Sequence, residues 1–296
     1  MIRTFVLVGV LVAAGVWGQD SPWLTDLDAA WKESSTTGKP LLVVATGSDW
    51  STPCMRMDVE VWSRPDFLSA AGAKYVLLKL DFLRQTVPSE RSRGQNLRWT
   101  DQYPFQALPT VYLLDGNGFL FGQRTGYLPG GSSAFLGLLT AFEAQKAPLQ
   151  GLVDAVRKAA PGVERAKAED TLFRQAEAWN LTSQYGDLPL RIVQDDKDGS
   201  AGLKTRYQVI QAHTRLLATW ADLPDFHRAI DDLDKLAARA QPWPDLQQKV
   251  LFTQGMIWMN AFRDEIKARD TFRKVKSLGA DTEAGQRAAE LLDQLP

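Results

Sequence analysis

Gly47-Ser48-Asp49-Trp50-Ser51-Thr52-Pro53-Cys54 is the stretch whose reading decides how this chain folds. It follows Leu41-Leu42-Val43-Val44-Ala45, a continuous apolar run of the kind expected for a strand buried on both faces. From Pro53 onward the pattern is helical, and proline is favoured in the first turn of a helix. The octet is therefore the junction where a buried strand runs into a helix. Cysteines spaced C-x-x-C at such a junction form a dithiol pair: the first is an exposed thiolate stabilised by the helix N-terminus, and the second resolves the mixed disulfide. Here the second position is Cys54 and the first is Ser51. A hydroxyl cannot take part in thiol–disulfide exchange. Cys54 is also the single cysteine of all 296 residues, so any disulfide it forms is intermolecular.

Upstream of the junction, Asp26 to Thr37 carries Leu27, Ala30 and Trp31 at helical spacing and stops at Gly38-Lys39-Pro40. Downstream, the helix is expected through about Val59, and Ser63-Arg64-Pro65-Asp66 opens another with a cap followed by proline. Tyr75 to Leu80 reads as a second buried strand, and Val87 to Gln95, polar and arginine-rich, as a surface excursion. Thr110 to Leu114 and Phe119 to Phe121 flank Asp115-Gly116-Asn117-Gly118, a strong hairpin signal. Ser132-Ser133 can cap a last helix over Ala134 to Ala144. Helices between the early strands predict parallel pairing, and the hairpin adds antiparallel edge strands.

Three separated motifs in this order resemble the thioredoxin superfamily, in particular exported bacterial thioredoxin-like proteins in which Gly-Ser-Asp-Trp leads into C-x-x-C. Gly47 to Cys54 matches apart from the first cysteine, Leu108-Pro109-Thr110 matches the cis-proline element, and Gly126 to Gly131 matches the loop before the last helix. The resemblance implies an α/β thioredoxin-like fold, a central mixed sheet flanked by helices, over 19–147. It also implies that Pro109 is cis and that backbone groups of the preceding Leu108 pair with an extended substrate peptide. Ser51 then occupies the position of the attacking thiolate, and Cys54 the resolving position, usually shielded one turn inside the helix. Ala45 stands where the family often carries a buried acid as proton relay.

The expected function is that of a non-catalytic peptide- or protein-binding module, with Trp50, Thr52, Pro53, Leu108 and Pro109 forming the binding surface, since a groove of this kind needs no thiol. The alternative is a monothiol thiol–disulfide oxidoreductase acting through Cys54. By residue type, Ser51 reads as a helix cap and Cys54 as a small buried hydrophobe. A third possibility is a structural role in which the helical half carries the contacts.

From Pro148 the pattern is helical almost throughout, so 148–296 is expected to be an all-α domain of helical hairpins. Leu203, Tyr207, Ile210, Thr214 and Leu217 trace one buried face, as do Phe226, Ile230, Leu233 and Ala237, then Leu246, Val250, Thr253 and Ile257. Breaks are expected at Leu223-Pro224, Gln241 to Pro244 and Gly279. Gly255 with Trp258, then Ala268-x-x-x-Phe272-x-x-Val275, resembles one tetratricopeptide unit with one residue inserted. His213 and His227 lie outside any triad or metal spacing. Asp195 to Gly199 is spaced like part of a calcium loop, but the ligand positions fall on Gln194 and Thr205, so it reads as a turn capping the next helix. No metal or other cofactor is expected.

At the N-terminus, Arg3 precedes an apolar run from Thr4 to Val16, and small Gly18 follows. Residues 1–18 thus read as an export signal, placing the protein outside the cytoplasm. No cysteine follows the run to take a lipid. The formal net charge is −1, or −2 without Arg3. That balance argues against nucleic acid or an anionic membrane as partner and leaves a protein or peptide. The sequence leaves the oligomeric state open.

Overall fold

The computed structural model describes residues 21–222 and 225–295; the expected export segment and the break at Leu223-Pro224 lie outside them. The chain divides into two compact units. The first runs to Leu120 and resumes over Arg124–Thr140, and the second takes Phe121–Gln123 and continues from Ala141.

In the first unit, α1 (Leu27–Thr37) starts at Asp26, whose carboxylate accepts the Ala29 N–H at 2.9 Å, and ends at Gly38 with φ +71°. β1 (Leu41–Thr46) is buried at all six residues, the pattern of a strand covered on both faces. α2 (Thr52–Met57) widens into a π turn over Asp58–Trp62, and α3 (Pro65–Lys74) begins at a proline in its first turn. β2 (Val76–Asp81) pairs parallel with β1 in the register Leu41 to Val76. α4 (Glu90–Gln102) precedes β3 (Thr110–Leu114) and β4 (Leu120–Thr125). β3 lies antiparallel to β1, Leu41 opposite Leu114, and the sheet order is β2-β1-β3-β4. The hairpin therefore contributes one interior strand and one edge. The free side of β2 is covered at Leu24, whose N–H donates to Leu77 O and whose carbonyl accepts from the Lys79 N–H, both at 2.8 Å. An aromatic cluster of Trp23, Trp62, Phe67 and Phe135 ties the π turn and α3 to the start of α5 (Gly131–Lys158).

Two sequence expectations are corrected here. The excursion over Val87 to Gln95 is largely helix. α4 is capped by Ser89 and buries Gln95, Asn96 and Trp99. Its inward face is polar because Gln95 accepts the Leu27 N–H at 3.1 Å and donates to Thr25 O at 2.8 Å, while Asn96 Nδ2 donates to Asp81 O at 2.8 Å. Amides doing the work of core residues leave no apolar period to read. The helix expected to stop at Ala144 runs on to Lys158 with Pro148 inside it. Pro148 and Ala144 both lie on the exposed side, where water can take the carbonyl that loses its donor, while Phe142, Leu149 and Val156 are buried.

The second unit continues with α6 (Val163–Ala178), α7 (Leu188–Asp195), α8 (Lys204–Asp222), α9 (Phe226–Arg239), α10 (Pro244–Ile257), α11 (Glu265–Leu278) and α12 (Glu283–Gln294). The apolar faces of α8 to α12 meet in two clusters, one around Leu233 and Val250, the other around Phe272 and Val275. A Cβ on Gly255 would lie 2.6 Å from the Phe272 ring, so the glycine sets how closely α10 and α11 approach. The residue inserted in the tetratricopeptide-like pattern falls between Trp258 and Ala268, where α10 widens into a π turn over Trp258–Phe262; a wider turn is how a helix absorbs one extra residue. On α8 the buried stripe departs from the expected one. Val209 is buried and Leu216 packs on the core, whereas Thr214 and Leu217 are exposed. Asp196 is fully buried and accepts the N–H groups of Ala201, Leu203 and Lys204 at 2.7, 2.8 and 2.8 Å, a turn that feeds α8 as read from the sequence. Among the described residues no helix is long and apolar enough to cross a membrane, and no group of His, Cys, Asp and Glu is arranged to hold a metal ion.

Candidate functional site

The loop leaving β1 is built around two carboxylates and one indole. Asp49 accepts the N–H groups of Arg84, Gln85 and Thr86 at 3.1, 2.8 and 2.7 Å. Burial pulls its carboxyl upward, but the three donors outweigh that and hold it below the usual range. Asp81, at the end of β2, accepts both the N–H and the hydroxyl of Ser48. Trp50 donates from Nε1 to Phe82 O at 2.8 Å, and the Arg84 guanidinium lies 3.6 Å from its ring centre. The indole sits directly over Gly47, where a Cβ would come within 2.5 Å of Nε1. The Gly-Ser-Asp-Trp sequence is thus a clamp between the β1 and β2 exits.

Ser51 is the N-cap of α2, with extended backbone (φ −97°, ψ 107°), yet its side chain makes no capping bond. The expectation that it caps with its hydroxyl is therefore corrected. A cap oxygen accepts from the second or third helical N–H, and the second here is Pro53, which has none. The residue is 6% exposed. Cys54 is 0% exposed, and its sulfur accepts the Gly47 N–H at 3.3 Å. Thr52 and Pro53, between the two, are exposed. Ala45 is buried between Leu80 and Thr110 on the neighbouring strands.

The Leu108-Pro109 peptide is cis. Because β3 runs antiparallel to β1 and starts at Thr110 opposite Ala45, this peptide lies at the end of the sheet where the Gly47 loop begins. Pro109 is buried and its carbonyl accepts the Gly126 N–H at 2.8 Å; Leu108 is half-buried. Among the described residues neither the N–H nor the carbonyl of Leu108 has a hydrogen-bond partner. Trp50 and Leu108 both border one open groove of about 550 Å³, completed by the β2–α4 loop, α4 and the residues from Phe105 onward.

A second fastening joins α2 to the loop before α5. Tyr127 donates to Glu60 at 2.5 Å, Arg56 donates to the Tyr127 hydroxyl at 2.8 Å, and its guanidinium lies 4.2 Å over the Tyr127 ring. The Tyr127 hydrogen bond holds the Glu60 carboxyl below its ordinary value.

The structure brings Trp50 and Leu108 to the same groove and places Cys54 beneath the surface. It also adds Phe82, Arg84, Arg93, Asn96 and Phe105 to the groove wall, none of them singled out in the sequence. The only local signal for them was aromatic and arginine content in segments without periodicity.

A strand–helix junction with Trp-x-x-Pro-Cys, a cis proline facing it and the order β2-β1-β3-β4 define a thioredoxin-like domain. Residues 22–116 match the family described as thioredoxin-like, so that region is a thioredoxin-like domain. Over 92 residues it is 34% identical to the thioredoxin-related protein DsbJ of Chlamydia pneumoniae, a match covering 31% of this chain and 26% of that one. Over 107 residues it is 28% identical to the disulfide bond reductase DsbH of the same organism, covering 36% of this chain and 64% of the relative. The chain thus spans about a quarter and somewhat under two thirds of the length of these relatives. A solved DsbH oxidoreductase aligns with a TM-score of 0.38 at 22% identity, over 48% of this chain and 94% of its own.

Proposed function

We propose that this is an exported, non-catalytic binding protein whose thioredoxin-like head, 19–147 as read from the sequence, captures extended peptide segments and whose helical half, 148–296, is a separate scaffold. The observation that carries the reading is the pairing of a sealed sulfur with an open groove. Cys54 is 0% exposed, while Trp50 and the unpaired backbone of Leu108 border a cavity of about 550 Å³. With one cysteine, the chain cannot cycle between dithiol and disulfide within itself. An unpaired stretch of backbone beside apolar pockets is the arrangement by which a strand-like peptide is added to a sheet.

Two measurements on the full chain test this. Iodoacetamide at neutral pH is expected to leave native Cys54 unmodified and to label it only after denaturation. Immobilised peptides are expected to retain the wild type and Cys54→Ala alike. Fast native labelling, or capture by the wild type alone in a form released by dithiothreitol, would return the protein to monothiol chemistry.

A further inference from the structure

Resting on the reading of the head as a peptide binder, we propose that its groove selects segments in which an aromatic or large apolar side chain is flanked by carboxylates. Charge complementarity between groove and peptide favours such a segment. Four arginines lie on or just before α4. Arg91 is paired with Asp26, and Arg98 with Asp28 at 3.3 Å, both away from the groove. The other two, Arg84 and Arg93, border the groove, and neither has an acidic partner among the described residues. Arg84 is pre-positioned: its backbone N–H is held by Asp49 and its guanidinium carbon lies 3.6 Å over the Trp50 ring centre. A guanidinium stacked in this way still presents its edge donors to a carboxylate. The one acid of the groove wall, Asp81, is already engaged by Ser48. Those Ser48 donors are uncharged, so among the described residues the groove wall carries two guanidinium cations against one carboxylate, an excess of one positive charge.

Its remaining wall is apolar. Phe82 and Phe105 meet edge to face with ring centres 5.1 Å apart, and Leu97 is 64% exposed at the rim. The volume suits one large side chain with its neighbouring backbone, within the range of ordinary ligand pockets. Asn96 adds a polar feature. It is 7% exposed, its Nδ2 is committed to Asp81 O, and its Oδ1 is buried without a hydrogen-bond partner. A peptide N–H reaching this wall would supply the missing donor. An extended peptide pairing with Leu108 would run its side chains alternately toward and away from the groove. Its aromatic would then pack against the Phe82–Phe105 pair, with the flanking carboxylates toward Arg84 and Arg93.

The test uses the full chain and three fluorescein-labelled heptapeptides, alike except for a central Glu-Phe-Glu, Gln-Phe-Gln or Lys-Phe-Lys, followed by fluorescence anisotropy. The acidic peptide is expected to bind at least tenfold more tightly than the neutral one, with the basic peptide weakest. Raising NaCl from about 50 to 500 mM should erase most of the difference between acidic and neutral peptides, because exposed charge pairs are screened. The double variant Arg84→Gln/Arg93→Gln should bind the acidic peptide no better than the neutral one. The salt series on the unaltered protein keeps the test valid if that variant folds poorly. Equal binding of acidic and neutral peptides would overturn the charge selectivity and leave the peptide-binding reading standing. Failure of all three to bind would overturn both.

Discussion

Gly47 has room for no side chain, because the Trp50 indole that hydrogen-bonds Phe82 lies across it. Gly47→Ala is therefore expected to push the indole off its acceptor and cost about 1–3 kcal/mol, read as a lower melting temperature and a shift in tryptophan fluorescence. An unchanged emission spectrum would mean the indole is not held there. Ser51 and Cys54 carry the other lesson at this scale. The absence of a first cysteine is visible in the sequence, and so is the position of Cys54 one turn into a helix. That the Ser51 hydroxyl fails to cap is not legible, because Pro53 removes only one candidate donor and the Cys54 N–H remains. Nor are the groove partners Arg84 and Arg93, since nothing in their own neighbourhood distinguishes them from Arg91 and Arg98. Only the positions of Asp26 and Asp28 do so.

Among the elements, the strands and the hairpin were readable because β-branched and aliphatic runs bounded by turn residues have few alternative uses. α4 was not, because it buries two amides and a tryptophan that spell no apolar stripe. α5 was read too short because a proline normally ends a helix, yet Pro148 stands on its solvent side while Leu149 and Val156 are buried. Replacing it tests that account. Pro148→Ala restores an N–H to the Ala144 carbonyl and removes the ring's clash, so stability should rise by about 1–3 kcal/mol. Chemical denaturation with a circular-dichroism readout would show it, and a lower midpoint would mean that the helix depends on the proline's bend. The drift of the buried stripe on α8 from Leu217 to Leu216 has a simpler cause. The expected positions keep to one face, but the buried face of α8 turns toward Val209 and Leu216 because these pack in one cluster with Ile230 and Leu233 of α9.

Across the whole molecule, the buried Glu169 and the half-buried His213 of the helical unit give opposite pH dependences. Glu169 is fully buried on α6, and burial raises its pKa despite an ion pair with Arg191 at 2.5 Å that lacks hydrogen-bond alignment. The folded state then binds this proton more readily than the unfolded chain, so its contribution is present in acid and lost as pH rises through the folded pKa. His213 is held below its ordinary value by burial and by Lys249. Its contribution is present above the unfolded value near 6.5 and is lost as pH falls from there through the lower folded pKa. Comparing Glu169→Gln with the parent cancels the histidine. The variant should match the parent near pH 4 and gain on it toward neutrality, by about 1.4 kcal/mol for each unit by which the carboxyl is raised. A gap that does not change with pH would show that the buried carboxyl titrates normally.

The sequence alone determined the thioredoxin-like order of the first unit, the cis Leu108-Pro109 bond, the helical hairpins that follow, and the loss of the attacking thiolate at Ser51. Each rests on residues close together in the chain or on motifs whose backbone geometry permits few substitutes. The tertiary structure decided that Cys54 is sealed, that Asp49 and Asp81 bind the exits of β1 and β2 into one rim, and that Arg84 and Arg93 form no ion pair among the described residues beside the groove. Those outcomes join groups about 35 residues apart, as Asp49 is from Arg84. Local periodicity records which face of an element is buried; which polar group on one loop neutralises a group on another is settled only when the chain closes on itself.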